Sequence, residues 1–218
     1  MNETCYIFGA GEYGSLTLTG ADLTGGFIIA ADGGYDSLRQ WGISPHLVVG
    51  DFDSLDREPD NVETVRHPVM KDDTDMMLAV REGLERGCTR FLLYGGMGRR
   101  LDHTLANLHV LAFLARRGCP AFLLGEDTAA TAICNGALTF GAEQTGTLSL
   151  FAWGGAARGV TLTGLLYPLK NATLTPEHPL GVSNEFLGRT AQVSVTDGTL
   201  IALWQPTGHG ELPTHHRL

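Results

Sequence analysis

Phe27-Ile28-Ile29-Ala30-Ala31-Asp32-Gly33-Gly34 is the stretch on which the fold turns. Five apolar residues read as a buried strand, and the break into an aspartate and two glycines marks where it ends. A short helix follows from Tyr35 to about Trp41 and stops at Gly42. Leu47-Val48-Val49 is a second strand, running into Gly50-Asp51-Phe52-Asp53-Ser54. Over 75–86, Met76, Ala79, Val80 and Leu84 fall at helical spacing, with Gly87 as the stop. Phe91-Leu92-Leu93-Tyr94 is a third strand and ends in Gly95-Gly96-Met97-Gly98. A helix from about His103 to Arg117 puts Leu105, Leu108, Leu111 and Ala112 on one face, and Ala121-Phe122-Leu123-Leu124 is a fourth strand. Strands alternating with helices imply an α/β unit with a mostly parallel sheet and helices on both faces.

The character changes between Gly125 and Ala130. Beyond it the helical signal disappears, and threonine, glycine and short alternating stretches take over: 146–153, 158–166, 190–195 and 200–204. Thr196-Asp197-Gly198-Thr199 reads as the hairpin turn joining the last two. The expectation is two domains, an α/β domain over 1–127 and an all-β sandwich over 128–218. The polar tail from Gly208 to Leu218 carries three histidines and reads as a frayed terminus.

Composition narrows the function. No apolar run approaches the roughly 20 residues that span a bilayer, and the start MNETCYIFGAG lacks the basic and apolar regions of a secretion signal. The four cysteines are scattered without a CxxC pair, which fits reduced thiols in a cytoplasm. A formal charge of −9 without a basic stripe argues against nucleic acid as a partner. It is compatible with a nucleotide, because acidic residues hold a divalent cation and the cation carries the phosphates.

The strand-end loops hold the chemistry. In open parallel sheets ligands bind outside the carboxyl ends of the strands, so Asp32, Asp51 with Asp53, and the Gly95–Gly98 loop should converge on one crevice. Asp51 and Asp53, two apart in an extended segment, point the same way and can face one cation of the magnesium type; the alternative is a polar turn with Asp53-Ser54 capping. In Lys71-Asp72-Asp73-Thr74-Asp75 either Asp72 or Thr74 can cap the following helix, while Asp72 and Asp75 share a face if its first turn has begun. The glycines of 95–98 let backbone amides approach an anion, and Arg100 can clamp phosphate oxygens or stand solvated. Asp102-His103 can cap the next helix. Nucleophilic catalysis finds no GxSxG and no activated cysteine, and His109, inside an apolar helix, is expected in the core.

Taken in order, Ala31-Asp32-Gly33-Gly34, Gly50-Asp51-Phe52-Asp53-Ser54, Lys71-Asp72-Asp73-Thr74-Asp75 and Gly98-Arg99-Arg100-Leu101-Asp102-His103 closely resemble the signature series of thiamine pyrophosphokinases. Gly164-Leu165-Leu166-Tyr167-Pro168-Leu169 and Gly181-Val182-Ser183-Asn184-Glu185-Phe186 resemble that family's two carboxyl-terminal motifs. Met97 and Arg99 depart from the small residues frequent in the glycine loop. The resemblance implies an α/β catalytic domain followed by a β-sandwich, and a cytoplasmic homodimer with thiamine between subunits. It implies transfer of the terminal diphosphate of ATP to the thiamine hydroxyl with release of AMP. It assigns Asp51, Asp53 and Asp75 to Mg2+, and Asp32 and Asp72 to the same acidic cluster, either one a candidate general base. Lys71, Arg100 and Asp102 fall to the nucleotide, Ser183 and Asn184 to the thiamine pocket, with Asp75 also near substrate. No membrane or nucleic-acid partner is implied.

Overall fold

The structure, a computed structural model, describes residues 3–14, 20–51, 62–66, 72–98, 100–206 and 211–218 of the chain. The chain divides into two compact units, Met1–Val110 with Ala121–Glu126, and Leu111–Pro120 with Asp127–Leu218.

The first unit is a parallel sheet of β1 (Thr4–Phe8), β2 (Phe27–Ala31), β3 (Leu47–Gly50), β4 (Glu63–Arg66), β5 (Arg90–Tyr94) and β6 (Ala121–Leu124). Its spatial order is β4-β3-β2-β1-β5-β6, every pairing parallel. The apolar runs expected as strands are β2, β3, β5 and β6. Two strands were not anticipated. β1 escapes notice because Thr-Cys-Tyr-Ile-Phe is a weak apolar run, yet it pairs on both sides, Cys5 with Phe27 and with Phe91. β4 is the outermost strand, and its Glu-Thr-Val-Arg reads as surface chain, which is the composition that protects a sheet edge from further pairing.

Alternation along β1 places the helices. Cys5 faces α2 (Asp75–Glu85), where a Cβ on Gly83 would lie 3.0 Å from its Sγ. Phe8 points to the other face, edge-on to Trp41 at the end of α1 (Gly34–Gln40), with ring centroids 6.2 Å apart. The helices therefore cover opposite faces, as right-handed crossovers running in opposite directions along a sheet require. α3 (Leu101–Arg116) starts two residues earlier than expected. Its buried arc is Asn107, Val110, Leu111 and Leu114, at the i, i+3, i+4, i+7 spacing of one helical face. Leu105, expected on the apolar face, is 46% exposed, and His109, four residues on, is exposed rather than in the core.

The second unit is antiparallel throughout: β7 (Ala129–Phe140), β8 (Thr147–Ala152), β9 (Ala157–Thr163), β10 (Leu169–Leu174), β11 (Gly181–Glu185), β12 (Ala191–Trp204) and β13 (Thr214–Arg217). β12 is its spine. It pairs with β7 over both its halves, while its first half also pairs with β9 and its second with β8. β10 extends the β9 side and β11 the β8 side, so the strand curls from one sheet into the other and closes a sandwich. Phe140 packs on Phe186 and Trp204 at 5.1 and 5.5 Å in its core.

Two expectations are corrected here. Thr196-Asp197-Gly198-Thr199 is no hairpin turn; it lies inside β12, where the register with β7 breaks between Val195 and Thr199. The turn-like composition serves a bulge instead: Gly198 has φ +114°, and its N–H donates to Asn135 Oδ1 at 2.9 Å. The described part of the tail is not frayed, because Thr214–Arg217 pairs antiparallel with β7, from Thr214 opposite Thr139 to Arg217 opposite Gly136. His215 Nε2 and His216 Nε2 sit 3.0 Å from Thr131 Oγ1 and Thr139 Oγ1. Among the described residues no helix is long and apolar enough to cross a membrane.

Candidate active site

In the first unit the chain leaves β2 in one direction across the sheet and returns to β5 in the other, so the order reverses between β1 and β5. At such a switch point the loops at the carboxyl ends part and leave a crevice. Here it measures about 280 Å³. Its floor is two glycine loops joined backbone to backbone: Gly9 N–H donates to Tyr94 O at 2.9 Å and Gly11 N–H to Gly95 O at 2.8 Å. The approach admits no side chain, since a Cβ on Gly11 would stand 2.4 Å from Gly95 O. Tyr13 braces the first loop, donating its hydroxyl to Gly9 O at 2.5 Å, and burial pushes that phenol's pKa up.

Asp32 and Asp75 line this crevice. Asp32 directly follows β2 with φ +47°, a left-handed conformation uncommon for a residue with a side chain. It is held there by its N–H to Val49 O at 2.8 Å and by the N–H of Tyr35 on its own carbonyl at 3.1 Å. Gly50 leaves room for it, with a hypothetical Cβ only 3.2 Å from Asp32 Cα. Asp75 is the first residue of α2, where the helix dipole favours an anion. Thr74 supplies the cap, its Oγ1 accepting from Met77 N–H at 3.3 Å. Asp73 is drawn away to Arg81, 2.8 Å from its Nε, and Asp72 is exposed and outside the crevice lining.

Asp51 follows β3, half-buried, one strand over from Asp32 and also outside the lining. Asp53 and Lys71 lie outside the described residues, as do Ser54, Phe52 and Arg99. Among the described residues no three histidines, cysteines or carboxylates gather closely enough to hold a metal. The chemistry of the donors nevertheless fits a magnesium-type cation. Asp32 and Asp51 follow adjacent strands, with Ala31 and Val49 paired in register just before them, and all the donors are carboxylate oxygens.

Arg100 and His103 close the crevice at the start of α3. Arg100 grips Asp102 at two points, Nε to Oδ1 at 3.2 Å and Nη2 to Oδ2 at 2.6 Å. The hydrogen bond holds the Asp102 carboxyl below its ordinary range and lifts the guanidinium, although both side chains are exposed. The Arg100 carbonyl accepts from Thr104 N–H at 3.1 Å, so Arg100 rather than Asp102 occupies the position before the first turn.

Ser183 and Asn184 belong to β11 in the second unit. Ser183 has φ +58° and is exposed, its N–H donating to Ser149 Oγ at 3.1 Å. Asn184 is buried and committed to Tyr167: its Oδ1 accepts from Tyr167 N–H at 2.9 Å and its Nδ2 donates to Tyr167 O at 2.8 Å. It works as a strand in miniature, and leaves Tyr167 61% exposed; Leu166, Leu180 and Val182 of the same unit are exposed as well.

Sequence reasoning missed the Gly9-Ala10-Gly11 loop, Tyr13 and Asn107. A glycine–x–glycine directly after an apolar run was the available signal, and it went unused because β1 was not read as a strand.

A switch-point crevice floored by two glycine loops and walled by one carboxylate at a strand end and one at a helix start, followed by an antiparallel sandwich, defines a nucleotide-dependent phosphotransfer enzyme. The comparisons agree. Residues 24–123 match the family model for the thiamin pyrophosphokinase catalytic domain, and residues 139–200 that for the thiamin pyrophosphokinase vitamin B1 binding domain. Thiamine pyrophosphokinase of Bacillus subtilis (strain 168) is 28% identical over 182 residues, covering 80% of this chain and 85% of that protein. The crystal structure of the Bacillus subtilis enzyme superposes with a TM-score of 0.81 at 26% identity, over 94% of this chain and 100% of the other. Thiamin pyrophosphokinase from Candida albicans shares the fold, with a TM-score of 0.74 at 16% identity over 94% and 90% of the two chains. The chain belongs to the thiamine pyrophosphokinase family. It is an ATP-dependent diphosphotransferase that makes thiamine diphosphate from thiamine.

Proposed function

We propose that the switch-point crevice binds ATP and that residues 1–127 form the catalytic domain, with 128–218 the thiamine-binding domain. The observation that carries this reading is the meeting of Asp32 and Asp75 with the two glycine loops in one crevice. Glycine at 9, 11, 95 and 96 lets polyphosphate oxygens approach backbone that a side chain would shield, while the N–H groups of Gly9 and Gly11 stay committed to holding the two loops together. Asp51, Asp53 and Asp75 hold Mg2+. When bound, the cation screens the polyphosphate charge and polarises the phosphorus under attack.

Arg100 exchanges Asp102 for phosphate oxygens. Its grip on Asp102 supports this, since the fork is already set for two oxygens in a plane. Asp102 then keeps the guanidinium turned toward the crevice when no nucleotide is present, and Lys71 adds a second positive charge. Between Asp32 and Asp72 as acceptor of the thiamine hydroxyl proton, the place of Asp32 on the crevice wall favours Asp32. Ser183 and Asn184 form part of the thiamine pocket, Asn184 by holding Tyr167 in place. The exposed apolar side chains of Leu166, Tyr167, Leu180 and Val182 support a homodimer with thiamine between subunits. Four free cysteines support a cytoplasmic setting.

Purified protein with ATP, magnesium and thiamine, followed by chromatography beside an Asp75→Asn variant, tests the reading. AMP and thiamine diphosphate should appear one to one, and fall at least about a hundredfold in the variant. A variant with unaltered turnover would remove Asp75, and with it this crevice, from the mechanism.

A further inference from the structure

Asn107 is a polar residue on the buried arc of α3, 4% exposed, and it also lines the crevice. Its Nδ2 donates to Gly96 O at 2.7 Å, which fixes the amide's orientation, since a carbonyl accepts only from the nitrogen end. Gly96 is glycine for the same reason: a Cβ there would stand 2.9 Å from Nδ2 and 2.7 Å from Leu123 Cδ1. That one hydrogen bond ties α3 to the glycine loop. Neither Oδ1 nor the second N–H of Asn107 has a partner among the described residues. A buried amide oxygen left without a donor forfeits its hydration, and buried side-chain amides in native proteins are rarely left so.

We propose that Asn107 reads the nucleoside of the bound nucleotide, its Oδ1 accepting a hydrogen bond while its Nδ2 holds the Gly95–Gly98 loop. This rests on the reading of the crevice as the ATP site. Triphosphate oxygens are acceptors at neutral pH and would be repelled by an amide oxygen, so the donor must come from elsewhere on ATP. Two sources share that chemistry, the 6-amino group of adenine and the ribose hydroxyls. The open edge of the amide pairs an acceptor with a neighbouring donor, and adenine presents the complementary pair.

The test compares kcat/KM for ATP, purine riboside triphosphate, 2′-deoxy-ATP and 3′-deoxy-ATP in wild type, Asn107→Leu, Asn107→Ala and Asn107→Asp. Nucleotide binding without thiamine is followed by calorimetry alongside. Wild type should select against at least one analogue by about tenfold, the worth of one hydrogen bond. The analogue refused identifies the source, base or sugar. That selection should vanish in Asn107→Leu, or in Asn107→Ala if the leucine does not fold. Asn107→Asp keeps an acceptor oxygen but loses the donor to Gly96, so it should retain selection with a lower kcat. Equal use of all four nucleotides by wild type, or selection that survives in the leucine and alanine variants, overturns the proposal. Gly11→Val separates the two readings. If it leaves the KM for ATP unchanged, the crevice is not the nucleotide site; if it raises that KM while selection survives in Asn107→Leu, only the role of Asn107 fails.

Discussion

Asp32 shows what a single residue is asked to do at a strand end. A left-handed backbone costs about 1–2 kcal/mol for most residues with a side chain, and aspartate or asparagine tolerate it best. Asp32→Asn should therefore keep the turn while losing the carboxylate: turnover falls about a hundredfold or more, and the melting temperature stays close to wild type. Asp32→Val cannot hold φ +47° without strain and should lower stability by about 2 kcal/mol in urea unfolding. Equal stability of the two variants would show that the backbone there is not constrained. Gly34 makes the same argument by size. A Cβ at this position would stand 1.9 Å from Phe8 O, so Gly34→Ala must push α1 off β1, destabilising by about 2–4 kcal/mol in the same measurement. At this scale the positions of Asp32 and Asp75 at element ends were legible in the sequence, because an apolar run and a helical pattern each break at an aspartate, whereas the exclusion of Asp51 and Asp72 from the crevice lining was not. Nor was Asn107. An asparagine inside a helix looks like an exposed position until the arc Asn107, Val110, Leu111 and Leu114 is seen to face inward.

Elements were legible where apolar runs were long and ended in glycine, as in β2, β5 and α2. They were not where pairing alone makes the strand. β13 is Thr-His-His-Arg, a polar stretch whose structure comes from the ladder it adds to β7 rather than from any face it buries. Removing residues 214–218 should therefore strip the cover from Gly136–Thr139. Amide exchange in that segment should accelerate, and the exposed ladder should promote association at high protein concentration. Unchanged exchange at those amides would mean that β13 contributes nothing to β7. The misread turn in β12 has a local cause as well. Asp-Gly flanked by alternating residues signals a positive φ correctly, but hairpin turns and bulges both demand one, and only the Asn135 bond to Gly198 decides between them. Asn135→Ala loses that bond and puts alanine at φ +48°, so it should cost about 2 kcal/mol and leave both sheets in place by circular dichroism.

For the whole molecule the α/β-then-β architecture was readable from the shift in patterning near residue 127, while the strand order was not, since nothing local states that β1 lies between β2 and β5. The proposed role of the cation makes a prediction at this scale. EDTA should abolish turnover, Mg2+ should restore it, and far-UV circular dichroism should not change in between, because the described carboxylates stand on elements already fixed by β-ladder and cap hydrogen bonds. Loss of secondary structure on chelation would make the cation structural instead.

The position of β1 has a consequence for biosynthesis. Of the described strands of this sheet, the one made earliest lies in its middle, and its second neighbour arrives late: Thr4 waits for Arg90. Until then β1 can pair only with β2, and one of its edges stays open. Strand-by-strand folding during synthesis is thus denied to this sheet, and the switch-point crevice closes in a single late step once β5 and α3 have been made. A nascent chain stalled before Arg90 should be protease-sensitive throughout, and one stalled well past Leu124 should acquire resistance all at once.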